Sequence, residues 1–174
     1  MFFASLLLLT TAYLISYLKN KILITVFSLS LISSFIFFDH PILFNIKKVP
    51  FPEVDRGQYL EGWTAGWGIK EIVDYARQRT SEKPVVILAE GSFGMTGDVL
   101  NVHIKPSDRI FVKGYWPLTE KNIEENISEL QKSIVLVVIS HQETLPNFAN
   151  NLTLINKFEK PGNKSVIYLF ELKN

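Results

Sequence analysis

The chain has 174 residues, of which 47% are hydrophobic, and it carries a formal net charge of +1 and no cysteine. This length allows one ordinary domain with an added segment, and the composition excludes both a disordered chain and a strongly basic nucleic-acid-binding protein. The absence of cysteine excludes disulfides, thiolate metal sites and cysteine nucleophiles.

The charges are unevenly distributed along the chain. Residues 1–38 contain two charged side chains, Lys19 and Lys21, and all 17 acidic residues lie at Asp39 or later. Residues 39–174 therefore hold 16 of the 18 basic residues and a net charge of −1. This division predicts an apolar N-terminal segment joined to a near-neutral soluble body, and it excludes a purely soluble protein.

The apolar segment contains two runs, 1–18 and 22–38, on either side of the basic turn Lys19-Asn20-Lys21. Roughly 17–25 apolar residues are needed for a helix to cross the hydrocarbon core, and so short a connection makes two such helices antiparallel. We therefore predict a transmembrane helical hairpin over 1–38, with the lipid bilayer as its partner. The alternatives are a cleaved signal peptide, a buried soluble hairpin, and a single spanning helix preceded by an interfacial segment.

The basic turn also predicts the orientation of the chain. Lysines at membrane ends favour the cytoplasm, which places Lys19 and Lys21 inside and the body on the extracytoplasmic side of the plasma membrane. Lys47 and Lys48 favour the opposite orientation, but their distance from the second run and the nearby negative charge of Asp39 weaken their effect. Three glycosylation sequons would be usable outside, although the motif is weak in a chain rich in asparagine; they begin at Asn126, Asn151 and Asn163.

Two further regions follow the hairpin. Three prolines predict an extended juxtamembrane connector over 39–62, because each biases its preceding residue toward extended geometry; they are Pro41, Pro50 and Pro52. From 63 to 174 the pattern predicts an extracytoplasmic α/β domain.

The body alternates helical and strand patterns. Two continuous β-branched runs are typical of buried parallel strands, and a turn at Pro161-Gly162 predicts a closing hairpin. The order strand–helix–strand–helix–strand predicts a small Rossmann-like three-layer α/β domain with a C-terminal β-hairpin. The predicted helices are 69–80, 97–104 and 119–132, and the predicted strands are 85–89, 109–113, 134–139, 153–159 and 165–172.

The polar residues of the body form no recognisable catalytic pattern. The glycine turn Gly91–Gly97 has the spacing G-x-x-G-x-x-G, which matches neither the dinucleotide fingerprint nor the P-loop; we interpret it as a tight connection, with a nucleotide site as a third hypothesis for the chain. Strand-end acids are expected to be solvated, and the histidines show no ligand spacing. The sequence predicts no catalytic residue and no metal site from this set, which comprises Glu90, Asp98, Asp108, His40, His103 and His141.

The strongest local signal is the segment 55–68, DRGQYLEGWTAGWG, which has four glycines and three aromatic residues. One interpretation is an aromatic belt at the headgroup level. The other is a membrane-edge site for a lipid phosphate or a sugar, since arginine binds phosphate through a bidentate fork. The candidate substrate or lipid-interface residues are Asp55, Arg56, Tyr59, Trp63 and Trp67.

This segment, followed by KPVVILAEGSFGMTGDVL, resembles the C-terminal part of bacterial family-39 membrane glycosyltransferases, the dolichyl-phosphate-mannose–protein mannosyltransferase-like enzymes related to the aminoarabinose transferases. The resemblance covers roughly 20–174. The residues that match the family pattern are Tyr59, Gly62, Trp63, Gly66 and Gly68.

The resemblance implies an extracytoplasmic tail and transfer of a sugar from a polyprenyl-phosphate donor, with no cofactor held by this chain. The family's catalytic acids lie in N-terminal loops, whereas Asp39 is the first acid here. The expected function is the C-terminal membrane and extracytoplasmic portion of such an enzyme, without its catalytic half. The missing membrane portion or another membrane subunit is then the expected partner, and nucleic acid is not. The alternative is a non-catalytic, membrane-anchored α/β binding or interaction module.

Overall fold

The structure is a computed structural model that describes residues 10, 11, 13, 16, 17, 20–62, 65–91, 95–141, 144–162 and 165–173. The chain divides into two compact units, Met1–Pro50 and Phe51–Asn174. The boundary falls inside the predicted connector.

The first unit contains one long apolar helix, α1 (Lys21–Phe44), of 24 residues, and its most apolar 18-residue stretch has a mean hydropathy of 2.1. It begins at Asn20, whose side-chain oxygen accepts a hydrogen bond of 2.9 Å from the backbone N–H of Ile22. None of its most apolar stretch is buried, and a helix that is apolar all round is typical of a membrane span. Within the part of the chain that the structure describes, α1 is the one helix long and apolar enough to cross a membrane.

The first predicted span, 1–18, lies largely outside the described residues. The residues described there are helical, namely Thr10, Thr11, Tyr13, Ser16 and Tyr17. The two-helix hairpin therefore stays a prediction, while the second run is a helix.

That second helix continues past Phe38, where we expected it to end, through Pro41 to Phe44. A π-helical turn, Phe35–Asp39, precedes the proline, and the backbone N–H of His40 bonds to Phe35 O, five residues back. Proline removes one backbone N–H donor from a helix. In a π-helical turn the hydrogen bonds run to the carbonyl five residues back, and such a turn allows the helix to continue past the missing bond. The expectation that Pro41 blocks the helix was wrong.

The rest of the predicted extended connector also contains helix. Helix α2 (Glu53–Arg56) follows Pro52 and continues as a π-helical turn, Gly57–Glu61. Proline is tolerated at a helix start because the first N–H groups have no helical partner there. Pro52 therefore precedes a helix instead of preventing one.

The second unit is built on a five-stranded mixed sheet in the order β2-β1-β3-β5-β4. Its strands are β1 (Val85–Glu90), β2 (Ile110–Tyr115), β3 (Ile134–Ile139), β4 (Thr153–Glu159) and β5 (Val166–Leu172). The first three are parallel, and β5 is antiparallel to both β3 and β4. All residues of β1 and β3 are buried, which confirms the strands predicted from the β-branched runs.

Three α-helices pack on this sheet: α3 (Ile69–Arg79), α4 (Thr96–His103) and α5 (Glu120–Glu125). The predicted helix 119–132 is shorter than expected and is followed by a 3₁₀ turn, Ile127–Gln131. At the break, the Asn126 amide donates to Asn122 O at 2.7 Å and to the Tyr115 hydroxyl at 2.9 Å. Asparagine competes with helical hydrogen bonds in this way, which explains the interruption.

The core has two halves, one on each face of the sheet. Ile72 and Ala76 of α3 and Leu100 of α4 pack with alternate residues of β1 and β3 on one face. Ile123 of α5 and Ala149, from a 3₁₀ turn at Asn147–Asn151, pack on the other. The second unit is therefore a mixed α/β fold with helical segments on both faces.

Candidate functional site

Four strands end at one edge of the sheet, which we call the carboxyl edge. The parallel strands β1, β2 and β3 end there, and β4 runs in the same direction because both β3 and β4 are antiparallel to β5. The chain leaves β1 for β2 on one side and returns as β3 on the other side. Open α/β sheets bind ligands at such a reversal, beyond the carboxyl ends of the strands.

A buried carboxylate joins the ends of β1 and β3. Glu90, the last residue of β1, is 1% exposed, and its Oε2 accepts hydrogen bonds from the backbone N–H groups of Ser140 (3.0 Å) and His141 (2.8 Å). Hydrogen bonds to a charged acceptor are stronger than neutral ones. The expectation that strand-end acids are solvated was wrong for Glu90, because the chain leaving β3 needs an acceptor for these amides.

Hydroxyl groups and a glycine complete this junction. The Oγ atoms of Thr96 and Ser140 lie 2.6 Å apart and are buried. Gly91 has φ +96° and donates its N–H to Tyr115 O at 2.7 Å; a Cβ there would lie 2.6 Å from Met95 Cβ. Gly91 thus makes a tight turn that other residues strain to adopt, while residues 92–94 of the predicted glycine turn lie outside the described residues.

An aromatic pair flanks the junction. The rings of Trp116, which directly follows β2, and His141 lie 5.0 Å apart at 87°, an edge-on arrangement. His141 is half-buried and Trp116 is 59% exposed. Burial lowers the pKa of His141, the Lys160 charge acts in the same direction and Glu90 opposes it. The imidazole is therefore neutral at pH 7.

A second polar cluster ties the segment after α2 to the β4–β5 turn. We call it the clasp, and it consists of Glu61, Gly62, Lys160, Gly162 and Ser165. Lys160 Nζ donates to Gly62 O at 2.8 Å, and Ser165 Oγ donates to Glu61 O at 2.7 Å. Gly162 has φ +92°, and a Cβ there would lie 2.7 Å from the Glu61 carboxyl.

The clasp holds two buried ionisable side chains. Glu61 is 4% and Lys160 is 1% exposed, and Arg56 Nη1 approaches Glu61 Oε1 at 3.4 Å. Burial lowers the pKa of Lys160 to about 8. Together with Glu90 and His141, these residues make the carboxyl edge rich in buried ionisable side chains. Burial lowers the pKa of two of them, Lys160 and His141, and groups with perturbed pKa values cluster at functional sites.

The structure distributes the sequence-predicted candidates differently. Asp55 and Arg56 lie in α2, and Arg56 reaches the clasp through Glu61. Tyr59, in the π-helical turn, is 62% exposed and Trp67 is 42% exposed, while Trp63 lies outside the described residues.

The other acids and histidines singled out in the sequence lie elsewhere. Asp108 accepts from Arg77 Nε and from the Lys105 N–H, both at 2.9 Å, at the opposite edge of the sheet. Asp98 and His103 belong to α4, and His40 belongs to α1. Among the residues that the structure describes, no group of three or more metal-ligating side chains is placed to hold a metal ion.

Sequence reasoning did not identify Glu90, Trp116, His141 or Lys160 as members of one site. The signal available was positional, since Glu90 and the pair Ser140-His141 each end a continuous buried strand. Parallel strands bring such ends to the same edge. Lys160 follows a third strand of the same direction, and only the sheet order shows this.

No family model, curated protein or solved structure matches the chain.

Proposed function

We propose that the chain is the membrane-anchored, C-terminal extracytoplasmic portion of a glycosyltransferase that uses a polyprenyl-phosphate sugar donor. The observation that carries the membrane part is α1, a helix of 24 residues that is long and apolar enough to cross a membrane and whose most apolar stretch is not buried. The family resemblance at Tyr59–Gly68 supports the glycosyltransferase part. The proposal assigns no catalytic residue to this chain, and it expects another membrane portion or subunit to supply them.

The proposal includes a finer architecture. Residues 1–18 form a second span antiparallel to α1, connected by Lys19-Asn20-Lys21 on the cytoplasmic side. The α/β unit is Rossmann-like, which is supported by the order β2-β1-β3 and by helical segments on both faces.

The segment 55–68 is proposed to lie at the headgroup level with its aromatic residues in the interface. The exposure of Tyr59 and Trp67 supports this placement, because amphipathic rings are stable where one side is apolar and the other is wet. Asp55, Arg56 and Trp63 belong to the same proposed surface, where Arg56 is the residue suited to a lipid phosphate.

A non-catalytic, membrane-anchored binding module is the second candidate. The observation that favours it is the carboxyl edge, where the polar groups of Glu90, Thr96 and Ser140 bond to neighbouring groups of the fold. Such a junction is suited to holding a rigid binding surface.

The orientation is tested by single-cysteine labelling, since the natural chain has no cysteine. Lys121→Cys replaces a side chain that is 81% exposed on α5, and Lys19→Cys lies in the basic turn. With a membrane-impermeant maleimide, we expect Lys121→Cys to be labelled in intact cells and Lys19→Cys only after lysis. The reverse pattern would contradict the proposed orientation.

The enzymatic part is tested by purifying the tagged full chain from its native membranes in mild detergent. We expect a multi-span membrane protein to co-purify in fixed ratio, and the complex to transfer labelled sugar from a polyprenyl-phosphate donor. Removal of the second protein should abolish the transfer. A chain that purifies alone, with no transfer activity, would reject the glycosyltransferase assignment and leave the binding module.

A further inference from the structure

We propose that the carboxyl edge of the sheet is a binding site for a neutral sugar unit, with the indole of Trp116 as its stacking surface. This site uses none of the residues in 55–68. The inference goes beyond the proposed function and stands whether or not the chain belongs to a glycosyltransferase.

Trp116 combines exposure with a fixed orientation. Its ring is 59% exposed while His141 contacts it edge-on at 5.0 Å. A side chain that is already ordered loses little conformational freedom on binding. The apolar C–H face of a pyranose ring fits such an indole surface, which is amphipathic and rigid.

The residues around His141 form a rigid polar junction. Glu90 fixes the backbone of Ser140 and His141 through two hydrogen bonds, and the Thr96 and Ser140 hydroxyls bond to each other. All of these groups lie at the chain reversal between β1 and β3, where open α/β sheets place their ligands. The half-buried imidazole of His141 lies next to the indole and contacts it edge-on.

The charges at this edge favour a neutral ligand over an anionic one. The Glu90 carboxylate is buried at the junction, and His141 is uncharged at pH 7 because burial lowers its pKa. An anion would meet the negative charge of Glu90 with a neutral imidazole beside it, and the Lys160 ammonium is occupied with Gly62 O. A nucleobase would also stack on indole, so the experiment must separate it from a sugar.

The test uses the full chain in lipid nanodiscs, titrated at pH 7 with methyl glucoside and methyl mannoside up to about 50 mM, which covers dissociation constants in the millimolar range. Adenosine and inorganic phosphate are the comparison probes. Binding is measured by calorimetry and by tryptophan fluorescence.

We expect saturable binding of at least one glycoside and a loss of about tenfold or more in affinity for Trp116→Ala. Trp116→Phe keeps a smaller ring and should weaken binding less. Phe111→Ala is the matched control, because Phe111 lies in β2 with the same 59% exposure but toward the opposite edge. The affinity of the Phe111→Ala variant for the glycoside should equal that of the natural chain. Thermal unfolding of each variant shows whether it is folded, and Trp116→Phe keeps the test valid if Trp116→Ala is not.

Three results would overturn the inference. They are the absence of saturable glycoside binding by the natural chain, glycoside binding that is unchanged in Trp116→Ala and Trp116→Phe, and binding of adenosine or phosphate without glycoside binding.

Discussion

The two edges of the sheet treat charged side chains in different ways. At the amino edge, Arg77 pairs with Asp74 and Asp108, and Arg79 pairs with Glu82 and Glu171. Both arginines remain about one-third exposed. At the carboxyl edge, Glu90, Glu61 and Lys160 are almost fully buried.

This difference separates structural charges from candidate functional ones. Exposed ion pairs contribute about 0–1 kcal/mol each, because water solvates both partners when the pair is broken. A buried charge is destabilising unless the fold supplies hydrogen bonds for it. The charged groups of the carboxyl edge are therefore almost completely withdrawn from water, whereas the arginines of the amino edge keep part of their contact with it.

The largest expected effect is at Glu90. In Glu90→Ala, the buried N–H groups of Ser140 and His141 lose their acceptor, and we expect the free energy of unfolding to fall by about 3 kcal/mol or more. The measurement is chemical unfolding of the full chain in detergent. The matched variant is Glu171→Ala, whose carboxylate pairs with Arg79 at 3.4 Å, with an expected loss of about 1 kcal/mol or less. Equal losses would remove the distinction between the edges.

The next effect is at the clasp. Gly162→Ala forces a Cβ toward the Glu61 carboxyl in a left-handed conformation, and we expect a loss of about 2 kcal/mol. Gly57→Ala is the control, since nothing lies within 4 Å of its Cβ position and its φ of −58° is helical. It should stabilise the chain by about 0.5–1 kcal/mol. The prediction fails if the two alanines have the same effect on the unfolding midpoint.

Lys160 gives a smaller, pH-dependent effect. Its pKa is about 8 in the folded chain against an ordinary value of 10.5, so between these pH values the unfolded chain holds a proton that the folded chain has released. Stability should therefore rise with pH across this window, by at most about 1.4 kcal/mol per pH unit. Unfolding curves of Lys160→Met should lack this rise. An equal rise in stability with pH in the natural chain and in Lys160→Met would show that groups other than Lys160 cause it.

The smallest expected effect is a difference in the pH range over which each edge contributes to stability. Burial lowers the pKa of His141 below its ordinary 6.5, so its contribution is complete above pH 6.5 and is lost as pH falls toward the folded pKa. The Lys105 N–H and Arg77 lower the pKa of Asp108 below 3.8, so its contribution is lost only below that pH. In His141→Gln, the unfolding midpoint should change less with pH near pH 6 than it does in the natural chain. In Asp108→Asn, the pH dependence in this range should be unchanged. A loss of the pH dependence near pH 6 in Asp108→Asn but not in His141→Gln would contradict this prediction.

The sequence predicted the strands well, because continuous β-branched runs such as Val85–Ala89 bury both faces wherever they occur. It failed at Pro41, where a π-helical turn just before the proline lets the helix continue. It also failed at Pro52, because a proline is compatible with the start of a helix and the sequence does not show where that start lies. It also failed at Asn126, whose side chain ends α5 through contacts with Asn122 and Tyr115.

The candidate site was less predictable than the fold. Glu90, Trp116, His141 and Lys160 are distant in sequence, and only the strand order β2-β1-β3-β5-β4 brings their strands' ends to one edge. The burial of Glu90 depends on two backbone amides after β3, which have no sequence signature.

Two-dimensional NMR of the isotope-labelled full chain in nanodiscs, with and without methyl glucoside or methyl mannoside, tests the central claim most directly. The account predicts that glycoside shifts the indole N–H of Trp116 and the amides of Ser140 and His141, while the amides of Asp108 and Glu171 do not move. No shift at the carboxyl edge, or equal shifts at both edges, would contradict it.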